Sequence, residues 1–279
     1  MSGKFYVVAT PIGNLNDITY RAVDIFKSVD LIASEDTRHT QGLLSHFSIE
    51  KKQFAVHQHN EKASAQKIIE YLKDGKHIAL VSDAGIPNIS DPGGLIVKEV
   101  AAAGFEIIPI PGVSAVTTAY SVSGLEHTSF HFHGFLPTTS SQRIKIFESL
   151  KGQFCPMIFY EAPHRIIKTL TDMADFFGSE HHIVVARELT KTFESIYRGS
   201  ISKVKETIES DSNFQKGEFV ILVSPIHHEK KELLTEDQHR ILKILLNHMP
   251  TNAAVKLGAE ILNINKNHLY GEALKIKKR

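Results

Sequence analysis

The sequence predicts an α/β fold: two α/β lobes with a cleft between them, followed by a small helical domain. Three observations predict it. Short apolar runs of strand length alternate with helix-spaced apolar patterns over most of the chain. Five of the strand-like runs end in segments unusually rich in Gly, Pro, Asp or charged residues. Beyond the polar stretch Ser224–Lys231 the pattern becomes purely helical. The domain boundaries that follow are 1–123 and 124–225 for the lobes and 232–279 for the helical piece.

Taken in order, Lys4–Thr10 predicts the first strand, and Ile18, Ala22, Ile25, Phe26 and Val29 follow at helical spacing. Leu31–Ser34 and Gln53–Val56 predict short strands. Ala63–Asp74 is an amphipathic helix with Ile68, Ile69 and Leu72 on one face, stopped at Gly75. Ile78–Val81 is a buried strand, Gly94–Ala103 a helix ended by Gly104, Glu106–Ile110 a strand and Ser114–Ser123 a helix capped by Ser114. This strand-then-helix alternation implies a mainly parallel sheet. In the second lobe the strands are Ser129–Phe132, Pro156–Tyr160, His182–Arg187, Thr192–Arg198 and Glu218–Val223, and the helices Ser141–Leu150, Arg165–Phe177 and Ser202–Ser210. Two consecutive strands on either side of Leu189 imply an antiparallel pair, hence a mixed sheet. Ser224–Lys231 suits a linker; Thr235–Asn247, Asn252–Leu262 and a segment from about Asn267 predict helices.

Composition places the chain among soluble globular proteins. Hydrophobic residues make up 42% and charged residues 23% of 279, which excludes disorder over most of the length. The single Cys155 cannot form an internal disulfide and fits a reducing compartment. No apolar run reaches membrane-helix length, and Met1–Thr10 lacks signal-peptide character, so a cytoplasmic location and no membrane partner are expected. Net charge is +1, but the stretch from Val255 onward holds six basic residues (Lys256, Lys266, Lys275, Lys277, Lys278, Arg279) against Glu260 and Glu272. That is +4 locally and −3 elsewhere, a distribution that suits local contact with a polyanion.

Ligands of open α/β sheets bind beyond the carboxyl ends of the strands. There the sequence places Thr10–Leu15, Glu35–Thr40, Ser82–Gly94, Pro111–Ala115 and Glu161–Arg165. Ser82–Gly94 is longer than a turn requires and can offer backbone groups to a ligand, with Asp83 and Asp91 as acceptors. Several chemistries are excluded: there is no phosphate-cradling G-x-x-x-x-G-K-[ST], no G-x-G-x-x-G after the first strand and no G-x-S-x-G elbow. One cysteine rules out a thiolate zinc site, and His127, His131 and His133 have no carboxylate at ligand spacing, so no metal is expected.

The ordered blocks TPIGNLND, ASEDTRHT, SDAGIPNISDPG, PGVSA, FYEAPHR, ARELTK and KGEF, spanning about Phe5 to Val223, resemble the tetrapyrrole-methylase superfamily. Within it they resemble the bacterial branch that methylates small-subunit ribosomal RNA. Ile86 stands where that family usually has Thr, and Val113 where it usually has Pro. The resemblance implies a cytosolic homodimer of two α/β lobes and S-adenosylmethionine in the cleft. It also implies a product methylated on the ribose 2′ oxygen of a cytidine in the decoding region of 16S rRNA. Carried over by motif, Pro11, Ile12, Asp83, Gly85 and Ile86 border the cofactor, as do Ser114 and Ala115 near its methionine part. Tyr160, Leu189, Gly217 and Glu218 approach it from the second lobe.

A ribose hydroxyl must lose its proton during or just after attack. Glu35, Asp36, Glu161 and His164 are the candidate bases or orienters, and Arg38, Arg165 and Lys191 the candidate phosphate contacts. Each also has a structural reading: Asp36 as a helix cap, Glu161 and Arg165 as a mutual pair, His164 as a packed ring. An ordinary carboxylate is a poor base unless burial raises its pKa. The C-terminal helices have helix-turn-helix spacing and could present Lys266, His268, Tyr270 and Lys275 to RNA, making 16S rRNA or the small subunit the expected partner. The rivals are a methylase of a corrin or porphyrin precursor, a non-catalytic RNA-binding factor and a dinucleotide-dependent oxidoreductase.

Overall fold

The first apolar runs form β1 (Phe5–Val8), β2 (Leu31–Ser34), β3 (Lys52–Ala55), β4 (Ile78–Val81) and β5 (Ile107–Ile110). In this computed structural model, which describes residues 2–226, 234–262 and 266–277, they make one sheet of order β3-β2-β4-β1-β5. Every neighbouring pair is parallel. α1 (Tyr20–Ser28) and α2 (Thr37–His46) cover one face with Ala22, Phe26, Leu43 and Leu44. α3 (Glu61–Lys73) and α4 (Gly94–Ala102) cover the other with Ile68, Leu72, Ile96 and Val100. The segments leaving β1 and β2 therefore go to one face and those leaving β3 and β4 to the opposite face. β1 and β4 are hydrogen-bonded neighbours whose following segments go to opposite faces, and that opens a crevice at their carboxyl ends.

The second sheet contains β6 (His131–Phe135), β7 (Met157–Glu161), β8 (His182–Arg187), β9 (Ser195–Ser200) and β10 (Phe219–Val223) in the order β6-β7-β10-β8-β9. β6 and β7 are parallel and the other pairs antiparallel, a mixed sheet as the sequence implies. Its central strand β10 is buried on both sides, and alternate residues serve different cores. Phe219, Ile221 and Val223 face α6 (Ser140–Leu150), α7 (Ile166–Phe177) and α8 (Ile201–Glu209). Val220 and Leu222 meet Val116 and Ala119 of α5 (Ala115–Ser121), the helix that follows β5. α5 thus packs a helix of the first lobe onto the sheet of the second, and residues 1–226 form one compact unit.

α2 is the element the periodicity misses. Its sequence TRHTQGLLSH is polar in its first turns and has Gly42 at its centre, so no apolar stripe precedes Leu43. What starts the helix is its cap: the Asp36 carboxylate accepts from the Arg38 backbone N–H at 2.8 Å.

Residues 227–279 form the other unit. There α9 (Glu236–His248), α10 (Thr251–Leu262) and α11 (Lys266–Lys277) enclose Leu242, Val255, Leu269 and Ala273. Thr235 and Gln238 form a reciprocal capping box at the start of α9. Gly258 lets the helices close: a Cβ there would stand 2.9 Å from Leu269 and 3.3 Å from Leu245. Most of the expected linker (227–231), the turn at 263–265 and the terminal Lys278 and Arg279 lie outside the described residues, as do the side chains of His268 and Lys277. Lys266, Tyr270 and Lys275 are exposed, with Lys275 held 2.6 Å from Glu272.

Candidate active site

The loops after β1 and β4 meet directly at the crevice. Thr10 N–H donates to the Gly85 carbonyl at 2.8 Å, and Gly85 N–H donates back to Thr10 at 3.1 Å. Gly85 has φ +81°, a conformation in which any side chain is strained. Asn88 and Ser90 in the same loop hold φ of 74° and 67° without being glycine. Such positions persist only where the surroundings impose them, and they cluster at ligand sites. From the second lobe, the β8–β9 loop crosses to meet Gly13 and Asn14. Asn14 N–H donates to the Thr190 hydroxyl at 3.1 Å, and a Cβ on Gly13 would lie 2.4 Å from the Lys191 side chain. The β8–β9 loop is itself strained at Glu188 and Thr190, with φ of 49° and 67°.

Between these loops lies a cleft of about 810 Å³, open mouth included. Of the residues the sequence reading gives to a cofactor, Ile12, Gly85, Ile86, Ser114 and Ala115 line it from the first lobe, and Tyr160, Leu189 and Glu218 from the second. Pro11, Asp83 and Gly217 lie next to lining residues in the chain but do not form the wall. Gly217 instead makes room for a neighbour: at φ +93°, a Cβ would meet Glu188 at 2.4 Å. Of the residues considered for chemistry, only Glu161 and Lys191 reach the wall; Glu35, Asp36, Arg38 and His164 do not.

Their bonding explains what most of them do. The Asp36 carboxylate grips the exposed Arg38 guanidinium through contacts of 2.8 and 3.2 Å, and that bonding holds its pKa far below the usual carboxylate range. A carboxylate so stabilised in its charged form is a poor base. Glu161 is fully buried and accepts from Arg165 at 2.6 Å, from the Thr169 hydroxyl at 2.6 Å and from Ala162 N–H at 2.8 Å. Lys191 joins Glu188 (2.8 Å) to Glu218 (2.9 Å). Burial pulls the Lys191 pKa down, but these two hydrogen bonds outweigh it, so the net shift is upward and the ammonium stays charged. His164 is exposed in the short helical turn after β7.

The wall also holds residues that the sequence reading did not single out: Ala84, Ile89, Ser90, Phe135, Ala186, Phe219 and Val220, together with Asp91, read there only as an acceptor. Parallel register sets Ser34 of β2 beside Val81 of β4, so Glu35 and Asp83 follow in neighbouring loops. Asp83 accepts from Asp36 N–H at 2.9 Å. Burial pushes the half-buried Asp91 carboxyl up to about 6, reinforced by the negative charges of Glu35 and Asp83 and opposed by a hydrogen bond from Ser82. Glu35 is also raised, first by burial and then by Asp83. Tyr160 is pushed up to about 12 by burial and by Asp91, which keeps it a neutral hydroxyl. Arg187 stands behind the wall, donating to the carbonyls of Phe193 (3.0 Å), Asn213 (2.7 Å) and Lys216 (2.7 Å) and so fixing both second-lobe loops. Among the described residues no cluster of His, Cys, Asp and Glu is arranged to hold a metal, and no helix is long and apolar enough to cross a membrane.

Comparison with known proteins agrees with this architecture. Residues 4–205 match the family model of Tetrapyrrole (Corrin/Porphyrin) Methylases, and residues 232–277 match that of the RsmI C-terminal HTH domain. Ribosomal RNA small subunit methyltransferase I of Vibrio cholerae serotype O1 is 49% identical over 267 residues, covering 95% of this chain and 92% of its own length. Its counterpart in Neisseria meningitidis serogroup B is 43% identical over 279 residues, covering 100% and 96%. The crystal structure of diphthine synthase shares the fold at 15% identity, with a TM-score of 0.63 over 80% of this chain and 90% of that one. A match of this extent, with the cleft built from the blocks the resemblance rests on, means that the chain belongs to the ribosomal RNA small subunit methyltransferase I family of the tetrapyrrole methylases.

Proposed function

We propose that this protein transfers a methyl group from S-adenosylmethionine to the ribose 2′ oxygen of a cytidine in the decoding region of 16S rRNA. The observation that carries the reading is the cleft at the switch between β1 and β4, where an apolar wall surrounds a few charged and hydroxyl groups. The residues fit a cofactor bearing a positive sulfonium, because Asp91 brings a carboxylate to a wall that Ile12, Ile86, Ala115 and Leu189 make largely apolar, while the Lys191 charge there is met by Glu188 and Glu218. Gly85 at positive φ brings backbone, not side chain, to that wall. When bound, S-adenosylmethionine supplies a methyl group already activated for transfer.

The chain's own residues then have three tasks. Ile12, Gly85, Ile86, Ser114, Ala115, Tyr160, Leu189 and Glu218 hold the cofactor. Asp91 orients the attacking ribose hydroxyl and takes its proton; its raised pKa, about 6, matches it to that work near neutral pH. Lys191 locks the loop that carries Glu188 across to Glu218, so its charge is spent within the protein and not on RNA phosphate. The reading places the protein in the cytoplasm with the ribosomal small subunit as partner and treats it as a homodimer. It divides the chain at 1–123 and 124–225 into catalytic lobes, with 232–279 for RNA contact.

The test is tritiated methyl transfer to small subunits and to naked 16S rRNA from a strain lacking the protein, followed by identification of the labelled nucleoside. Label on a cytidine ribose is expected. Folded, cofactor-binding protein that labels neither substrate would overturn the assignment. Removal of the residues after Leu233 is expected to weaken RNA binding and flatten its dependence on salt, because exposed Lys266 and Lys275 leave with α11. An unchanged salt slope would place the RNA surface on the lobes.

A further inference from the structure

The cleft wall is apolar and buried in its depths, where Leu189, Ala186, Phe219 and Val220 are 7% exposed or less. Its rim carries two exposed large apolar side chains, Ile89 and Phe135. Phe135 is 54% exposed, and among the described residues it is the one exposed aromatic that lines the cleft. Of the other exposed Phe and Tyr rings in the same unit, Tyr20, Phe154 and Phe193, none lines it. A large apolar ring left in water at the mouth of a ligand site needs a reason, and local backbone geometry shows that its position is built.

Phe135 ends the edge strand β6, which pairs with β7. A bulge interrupts the register: Phe132 faces Ile158 and Gly134 faces Phe159, so His133 is the extra residue. Bulges re-aim the side chains that follow them and recur beside active sites. Gly134 has φ +89°, and a Cβ on it would stand 3.0 Å from the Ser90 hydroxyl. That close approach presses the strand end against the loop carrying Ser90 and Asp91. Beyond the bulge, Phe135 pairs with Tyr160, and the two rings lie 5.3 Å apart at 63°. Phe132 braces Tyr160 from another side at 4.9 Å. Phe135 is thus a ring supported by Tyr160 and still half exposed, one residue from the contact with Ser90.

We infer that Phe135 is the platform on which the base of the target nucleotide stacks, delivering the adjoining ribose to Asp91. The inference rests on the RNA-methylating function proposed above. Stacking on an aromatic ring is how proteins hold a base taken out of its helix or loop. The buried wall suits a cofactor that stays enclosed, whereas a half-exposed ring at the mouth suits a group that arrives from solvent on a macromolecule too large for the cleft.

The experiment compares F135A, F135L and F135W with the unaltered full-length protein, using methyl transfer to small subunits from a strain lacking it, cofactor binding and sedimentation. F135A is expected to raise the KM for small subunits by about tenfold, the order that loss of one base stack produces. Cofactor affinity and oligomeric state stay unchanged, F135W restores the KM and F135L does not. Full rescue by F135L reduces the ring to apolar bulk and overturns the proposal. A parallel loss of cofactor affinity makes Phe135 a cofactor contact, and a change in sedimentation makes it a subunit contact; either overturns it. If F135A labels subunits like the unaltered protein, the proposal falls while the function stands. If the unaltered protein labels no RNA, both fall.

Discussion

Asp91→Asn is expected to lower kcat by about 10²–10³-fold while leaving cofactor affinity within about threefold, because general base contributions are of that size and the amide keeps the shape. The carboxylate lines the cleft, and its pKa is held near 6 by burial and by Glu35 and Asp83, against a hydrogen bond from Ser82. Only the deprotonated form can accept a proton, so kcat of the unaltered enzyme should fall as pH drops through 6 and stay level above it. The asparagine variant should lose that limb. The same raised pKa has an opposite effect on stability. Asp91 binds its proton more tightly in the folded chain than in the unfolded one. Stability therefore falls as pH rises from the ordinary carboxylate value to about 6, and the whole cost persists above that. Removing the charge should raise stability at pH 8 by about 1 kcal/mol, a figure reduced for partial exposure. A thermal melt and a pH–rate profile check both halves. A variant with unchanged kcat removes Asp91 as base, and one that loses cofactor binding in proportion makes it a ligand contact.

Asp91 also shows how far the sequence could be read. The ten strands among the described residues are legible in the sequence, most of them as short apolar runs bounded by polar or glycine-rich segments. Ile158, Val184 and Leu222, for example, are fully buried where those runs predict a core. The cleft walls are legible where they fall in unusual loops, as Ile12, Gly85 and Ser114 do. They are illegible where they are ordinary strand residues. Ala186 and Val220 carry no mark that separates a ligand wall from a core, since both are apolar and buried. Phe135 is hidden differently, because its direction depends on a one-residue bulge that periodicity does not register. The acid–base roles are hard to read for a third reason: basicity is set by burial and by the partners that the fold brings together. Asp36 looks as available as Asp91 in a string of letters. Yet Asp36 is stabilised as an anion by Arg38, while Asp91 is destabilised as one by burial and then by Glu35 and Asp83. The helix α2 is recoverable only from its Asp36 cap, and Ile86, where the family usually has Thr, lines the cleft as an apolar side chain.

Glu161→Gln is expected to act on stability and not on chemistry, although the position reads as a candidate base. Every acceptor site that counts is committed. One oxygen receives Arg165 and Ala162 N–H, the other receives the Thr169 hydroxyl, and the side chain has no exposure. An amide could keep the Thr169 contact or the Ala162 contact, but it cannot neutralise Arg165. That guanidinium is itself 13% exposed and already has a buried Nε without a partner. Breaking a buried ion pair from one side leaves an uncompensated charge and costs about 3–5 kcal/mol. For a unit of this size, each kcal/mol lowers the melting temperature by roughly 2–4 °C. Arg165→Met should be similarly harmful, and the double variant less harmful than the sum, since it removes the stranded charge with its partner. Well below its melting temperature, Glu161→Gln should retain kcat within about fivefold, because the step that needs a base is assigned to Asp91. Melting curves on the three variants, with kcat taken at low temperature, separate the possibilities. A variant that melts normally and is catalytically dead would return Glu161 to the chemistry and displace Asp91 as the sole base.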